Sequence, residues 1–482
     1  LNALRRAILP DRFEVAVLSL LLVAIAYQLF VDPVVGVANN ADFARLIWPA
    51  GIGYQSSADY WGTVFKFSET KFVYVTPKPF RYLTSERPVL GGAMLLNRLF
   101  SKDGLFDLRA MGICNLGLYL VAIWSFLASF RRWRPPSRLI VGGAVLVMCA
   151  DVKWVAYFNS FYCESASLIF LFATVGFALL CADRRREDRL AWLSWLGYLV
   201  SALLLWMAKT QNTAFVPCLV TGAWLLFPPR MPKIARLFGT LAIPACVIWA
   251  FATNQYADTT GENVRVVVSD EVLRYSPSPD RDRQELGLDK GPGSLFGIAE
   301  FYARHPSRWW SMAQRHSQEA FGYIPYGNFS RASGLGPGAQ SRAFNGWSEF
   351  KKAHFPKNVV LWGCLLLVYA ALVGVKVRWL DKTREERVRS MIGPVLALGC
   401  LFEFVVSVTF ETNGTAKHLF IFNVGVDITL LLALLGLVDV LARVRPWWNG
   451  KTAPKWRGNP RGANRLGEYF MPTQASHDER LR

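Results

Sequence analysis

Apolar runs of membrane-crossing length recur along this chain, and they limit its fold more tightly than any other feature. A helix needs about 20 mostly apolar residues to cross the hydrocarbon core of a bilayer. Ten runs approach that length: 13–30, 108–130, 138–152, 165–182, 190–206, 212–227, 235–252, 358–376, 391–410 and 419–441. Inside lipid, each backbone polar group must find its partner within the spanning element, so such runs become helices. The expected fold class is an all-α polytopic membrane protein with about ten transmembrane helices and two long outer loops. Of 482 residues, 52% are hydrophobic and the mean hydropathy is +0.24, which fits one membrane domain better than several soluble cores.

Charge orders the runs. Arg5, Arg6 and Arg12 precede the first run, and Arg131, Arg132 and Arg134 follow the second. Arg184, Arg185 and Arg186 follow the fourth. Arg230, Lys233 and Arg236 surround the join of the sixth and seventh, and Lys382, Arg384, Arg387 and Arg389 separate the eighth and ninth. Short basic loops stay in the cytoplasm. All five groups fall there if both termini are cytoplasmic. This explains most of the net charge of +19, and without a binding motif beside it no nucleic-acid partner is expected. Gln28, Phe30 and Asp32 replace a small-residue cleavage site, so the first run is expected to remain uncleaved. None of the eight cysteines forms a CxxC pair, and neither a zinc site nor a disulfide framework is expected.

The expected layout is a cytoplasmic N-terminus (1–12), a transmembrane domain (13–441) and a basic cytoplasmic tail (442–482), disordered by composition. Outer loops cover 31–107 and 253–357. Residues 90–100 read as a short amphipathic helix in the interface plane. Residues 300–320 read as another, with Trp309 and Trp310 at headgroup level.

Four polar clusters fall on the outer side. The first is Asn39, Asn40, Asp42 and Arg45, just beyond the first run. Asp42 suits a general base toward an acceptor hydroxyl, or a cap on a helix starting near Phe43. In the second, Asn159 and Glu164 sit among Tyr157, Phe158, Phe161 and Tyr162. Aromatics with polar neighbours suit sugar faces or a membrane interface, and Glu164 suits a second carboxylate or a helix N-terminus. The third holds Lys209 and Gln211, where the lysine either meets a phosphate as a point charge or snorkels. The fourth, 411–418, ends in Lys417 and His418, placed to assist a departing phosphate. Asp427 and Glu403 lie inside apolar runs, where acids are costly unless paired or hydrated.

With these residues in place, the chain resembles the GT-C superfamily of integral-membrane glycosyltransferases. The resemblance rests on the number of spans, the acid in the first outer loop, the large outer loops with amphipathic helices, and the basic residues at outer helix ends. Segments 157–162 and 417–423 are also similar to those of bacterial surface-glycan hexosyltransferases. The resemblance implies a polyprenyl-phosphate sugar donor, a glycan or glycolipid acceptor, membrane lipids as surroundings, and a site at the outer face of a bacterial inner membrane. It makes Asp42 the catalytic carboxylate and Glu164 the second acid. Arg45, Asn159, Lys209, Gln211, Lys417 and His418 become candidates for the substrate and lipid-phosphate site. Asp42 lacks the adjacent acid of the paired form, so no metal or other cofactor is expected and the displacement should invert. Two rivals remain. A transporter or flippase of lipid-linked sugars would use Glu403 and Asp427. An O-antigen-ligase-like transferase would use Arg304, His305, Arg308, Arg315 and His316, unless these form a solvated helix face.

Overall fold

Asp11 opens the first crossing. Its carboxylate accepts from the Glu14 amide at 3.0 Å while Glu14 reaches back to the Asp11 amide at 3.2 Å, a reciprocal cap. Helix α1 (Arg12–Phe30) follows. The computed structural model describes residues 9–183, 188–228, 232–289, 291, 293–322, 324–410 and 415–448. Arg5, Arg6, Arg184 to Arg186, Arg230, residues 411–414 and the tail 449–482 lie outside the described residues.

The first outer loop holds α2 (Ala44–Ala50), β1 (Ile52–Gly53), α3 (Ser57–Thr63), β2 (Lys71–Tyr74), α4 (Glu86–Phe100) and β3 (Phe106–Asp107). The strands form an antiparallel sheet in the order β1-β2-β3, with Gly53 opposite Val73 and Phe72 opposite Phe106. Next come α5 (Arg109–Ala128), α6 (Pro135–Cys149), α7 (Val152–Val155), α8 (Glu164–Asp183), α9 (Asp188–Ala208), α10 (Val216–Leu225) and α11 (Lys233–Ala252). The second outer loop carries α12 (Ala257–Val267), a π-helical turn (Val268–Leu273), α13 (Pro279–Glu285), α14 (Leu295–Arg304), α15 (Pro306–Ser317) and α16 (Gly346–His354). It returns to α17 (Val359–Trp379), α18 (Arg384–Phe410), α19 (Thr415–His418) and α20 (Phe420–Trp448).

The all-α polytopic expectation holds, with a lower count. Among the described residues eight helices are long and apolar enough to cross: α1, α5, α8, α9, α11, α17, α18 and α20. A pair bent by 56°, Pro135–Cys149 with Val152–Asn159, is a broken span or a re-entrant loop. It bends because Asp151 leaves the helical path, accepts from the amides of Lys153 (2.9 Å) and Ser348 (2.8 Å), and starts a new turn. The expected run 212–227 is a 3-10 turn, Thr210–Phe215, leading into the ten-residue α10. Pro217 near its start removes an amide donor there. The side-chain amide of Asn212 turns inward to Ser167 Oγ (2.9 Å) and Leu205 O (2.7 Å).

Helix α8 is the most enclosed crossing and packs against α5 and α9, whereas α11 and α17 leave most of their surface to lipid. At one end of the bundle Arg131 pairs with Glu14 (2.5 Å), Arg138 with Asp11 (2.6 Å), and Arg389 donates to Ser129 O (2.8 Å). Basic loops between different spans therefore meet at a single end. Along α4, Leu95, Leu99 and Phe100 stand exposed, as an interfacial helix requires. The expected helix over 300–320 is two helices, because Pro306 disfavours helical backbone at His305. Trp309 turns inward and donates to Thr409 Oγ1 (2.9 Å), while Trp310 stays exposed.

Asp427 finds its partner in the second outer loop. Lys351 from α16 pairs with it at 2.5 Å and Trp347 Nε1 donates to it at 2.9 Å, so the second outer loop plugs its charge into α20. The chain divides into two compact units, one up to Gly436 and one from Leu437 onward. Within the second, Arg443 pairs with Asp439 at 3.0 Å.

Candidate functional site

Asp42 is presented by a turn built from its own neighbours. Asn39 Oδ1 accepts from the amides of Ala41 (2.8 Å) and Phe43 (3.2 Å), and Asn40 Oδ1 accepts from the amide of Asp42 (3.3 Å). Ala41 is held at φ +84°, a strained backbone for a residue with a Cβ. Helix α2 begins without a side-chain cap, so capping is not what Asp42 does. Its carboxylate lies between two cations instead. Arg45 Nη2 is 2.9 Å from Oδ1, and Lys417 Nζ reaches Oδ2 from α19. Burial opposes the charge, but Arg45 and Lys417 outweigh it and hold the Asp42 carboxyl far below the usual carboxylate range.

Behind this pair the polar groups continue inward. Glu164 opens α8 and is 3.0 Å from Lys209 Nζ, which lies just past the end of α9. Lys209 Nζ is also 3.3 Å from His418 Nδ1. Gln211 bridges the base of the cluster: its side-chain amide donates to Glu403 Oε1 (2.9 Å), Ser407 Oγ (2.9 Å) and His418 O (2.6 Å). Tyr162 forms a wall, with its hydroxyl 2.9 Å from Ala38 O and 3.0 Å from Asn40 Oδ1, and its ring 5.3 Å from Lys417 Nζ. The Arg45 guanidinium rests 5.1 Å over the Tyr82 ring.

Exposure grades through the cluster. Asp42 and Arg45 are 19% and 15% accessible, against 1% for Lys417, 4% for Lys209 and 3% for Glu164. A ligand would meet Asp42 and Arg45 first. The lysines are paired, and anything that draws them outward must compete with two carboxylates.

The structure thus gathers Asp42, Arg45, Glu164, Lys209, Gln211, Lys417 and His418. Asn159 is placed elsewhere. Its side-chain amide donates to Leu29 O (2.8 Å) and Val35 O (2.9 Å), bracing the chain as it leaves α1. The aromatics around it are core: Tyr157, Phe158, Phe161 and Tyr162 are buried beneath the first outer loop, with Phe161 against Phe43, Phe72 and Phe106. Arg304, His305, Arg308, Arg315 and His316 each meet a carboxylate within the second loop, from Glu300, Glu285, Asp282 and Glu271. Sequence reasoning missed Lys351 as the cation for Asp427, although a buried acid in an apolar run asks for one. It also missed Glu86, whose Oε2 accepts from the Ala166 amide at 2.9 Å.

The chain matches the profile of the YfdI N-terminal transmembrane domain over residues 3–297 and 291–455. It belongs to that family. Both outer loops and every residue of the cluster lie within the stretches matched to the YfdI N-terminal transmembrane domain. No curated protein and no solved structure gives a significant match.

Proposed function

We propose that this protein is a membrane glycosyltransferase of the GT-C type. It moves one sugar from a polyprenyl-phosphate carrier to a cell-surface glycan or glycolipid. The work is done at the outer face of a bacterial inner membrane, with both chain termini in the cytoplasm. The observation that carries this reading is the Asp42–Arg45–Lys417 group: a reachable carboxylate pressed between two cations, backed by Lys209 and His418, at the ends of spans beside both long loops.

A carboxylate gripped by two cations is a weak base. Donor binding changes that. The donor's phosphodiester competes for Lys417 and Arg45, and as they turn to phosphate the Asp42 carboxylate regains basicity. The acceptor oxygen then attacks the anomeric carbon, its proton passes to Asp42, and the bond from that carbon to the phosphate oxygen breaks. The second negative charge of the departing polyprenyl phosphate forms beside the Lys417 ammonium. Glu164 holds Lys209 in place through their 3.0 Å pair. No cofactor enters the scheme, and the only partners it needs are the lipid-linked donor, the acceptor and the surrounding lipid.

A carrier reading would need Glu403 or Asp427 available to a coupling ion, yet Asp427 is gripped by Lys351 and Glu403 holds Gln211 and Ser407. Proteoliposomes separate the two readings. Asp42→Asn should lose sugar transfer, while Asp427→Asn should leave the chemistry of transfer intact. Movement of lipid-linked sugar that depends on Asp427 and ignores Asp42 would overturn the proposal.

A further inference from the structure

A second polar cluster lies outside the transfer chemistry described above. Three elements build it. The π-helical turn Val268–Leu273 carries Glu271, α15 carries Arg315 and His316, and α19 opens with Thr415. π turns are rare and concentrate at functional positions. Glu271 Oε1 lies 3.1 Å from His316 Nε2, and Oε2 accepts from Arg315 Nη2 at 2.8 Å. The other ring nitrogen of His316, Nδ1, is 2.5 Å from Thr415 Oγ1. All three central residues are buried: Glu271 is 9% exposed, His316 6% and Thr415 4%.

The helix α19 has only four residues, Thr415–His418, and one turn of helix does not hold itself. Residues two apart on a helix point about 200° apart. Thr415 and Lys417 therefore face opposite sides of the turn. On one side His316 meets Thr415, and on the other Asp42 meets Lys417. The same outer-loop segment is fastened on either side of α19, by Trp309 to Thr409 and by the Asn423 side-chain amide to Ala320 O (3.4 Å). An imidazole suits the central place because it offers two polar atoms on opposite edges of a rigid ring. The Glu271 carboxylate, itself held by Arg315, lies 3.1 Å from Nε2 as its charged neighbour.

We infer that His316 is a positioning residue for the transfer site: oriented by Glu271, it holds Thr415 and so fixes where α19 sets Lys417 and His418. This rests on the reading of Lys417 as the group that meets the donor phosphate. Displacement of a reacting group by about 1 Å can cost about 100-fold in rate. The second outer loop, none of whose described residues belongs to the charged cluster, thereby governs it.

The test uses the full-length protein and two readouts. The first is steady-state transfer from a polyprenyl-phosphate sugar. Thr415→Val keeps the shape and removes the hydroxyl, so kcat should fall by roughly 10- to 100-fold. Thr415→Ser restores the hydroxyl and should restore the rate. The second readout needs no turnover. Lys417 and Lys351 are both about 1% accessible, so an amine-reactive reagent followed by mass spectrometry should label neither in the wild type. Labelling of Lys417 should rise several-fold in Thr415→Val and in Glu271→Gln, with Lys351 still protected as the control for folding. Should Thr415→Val fail to fold, Glu271→Gln gives the same reading. Wild-type kinetics together with protected Lys417 in the variants would overturn the inference. Absence of transfer by the wild type from any donor would sink the proposed function, while Lys417 labelling would still decide whether His316 sets its position.

Discussion

Asp42 has its two cations on either side, and each partnership has a measurable consequence. On the proposed mechanism Asp42→Asn removes the proton acceptor and should lower transfer by roughly 100- to 10,000-fold, the usual worth of a positioned base. Lys209 and Glu164 form a buried pair, and breaking one partner leaves an uncompensated charge. Lys209→Met should therefore cost about 3–5 kcal/mol, read as a fall in melting temperature, with much of the loss recovered in Lys209→Met/Glu164→Gln. The pH dependence has a definite sign. Asp42 has a folded-state pKa depressed below its unfolded value, so its contribution to stability is complete above the ordinary carboxylate range and is lost as pH falls beneath it. The melting-temperature gap between wild type and Asp42→Asn should stay level from about pH 8 to 5 and shrink below about pH 4. Each charged member of the cluster was legible in the sequence, because a charge at the outer end of an apolar run stands out. Their pairing was not legible. Lys417 and Asp42 are 375 residues apart, and nothing local to either one names the other.

Element ends and close approaches carry the next level. Glu86 begins α4 yet receives the Ala166 amide at the start of α8, stitching an outer-loop helix to a crossing. Burial, with Glu164 nearby, pushes its carboxyl up to about 7 against the hydrogen bonds that favour the charge. A folded pKa above the unfolded value means that stability falls as pH rises between about 4.5 and 7. Glu86→Gln should thus raise the melting temperature more at pH 8 than at pH 5, and an equal shift at both would contradict the assignment. Helices α5 and α1 meet at Gly112, where an added Cβ would lie 2.2 Å from Asn159 Oδ1. Gly112→Ala should cost about 1–3 kcal/mol, the usual range for overpacking, and denaturation of the solubilised protein measures it. Hydropathy revealed most crossings because length and apolarity alone define them. The run 138–152 stops at the Asp151 bend and leaves out the continuation Val152–Asn159, because Ser348, the partner that holds the bend, comes from a distant loop. Hydropathy took 300–320 as one helix by giving Pro306 too little weight.

For the molecule as a whole, the outer loops act as parts of the crossing bundle. Lys351 reaches from the second loop to Asp427 in α20, and Asn40 from the first loop donates to Tyr326 OH in the second at 3.3 Å. This closure was hidden in the sequence, since loop composition shows polarity and turns but not which span a loop folds back upon. The amphipathic face of α4 was visible for the opposite reason: its pattern is local. Family membership spans both loops and the spans between them, so the charged cluster sits inside the shared domain rather than on an appendage. Loop and bundle should therefore lose structure together. Lys351→Met alone should destabilise by about 3–5 kcal/mol, while Lys351→Met/Asp427→Leu should recover most of it. The most direct test of the central claim is label transfer by the purified, reconstituted protein from a panel of polyprenyl-phosphate and polyprenyl-diphosphate sugars, with Asp42→Asn run beside the wild type. Transfer from a monophosphate-linked sugar that disappears in a folded Asp42→Asn protein is the expected result. Equal transfer by both proteins, or none by the wild type from any donor, would contradict it.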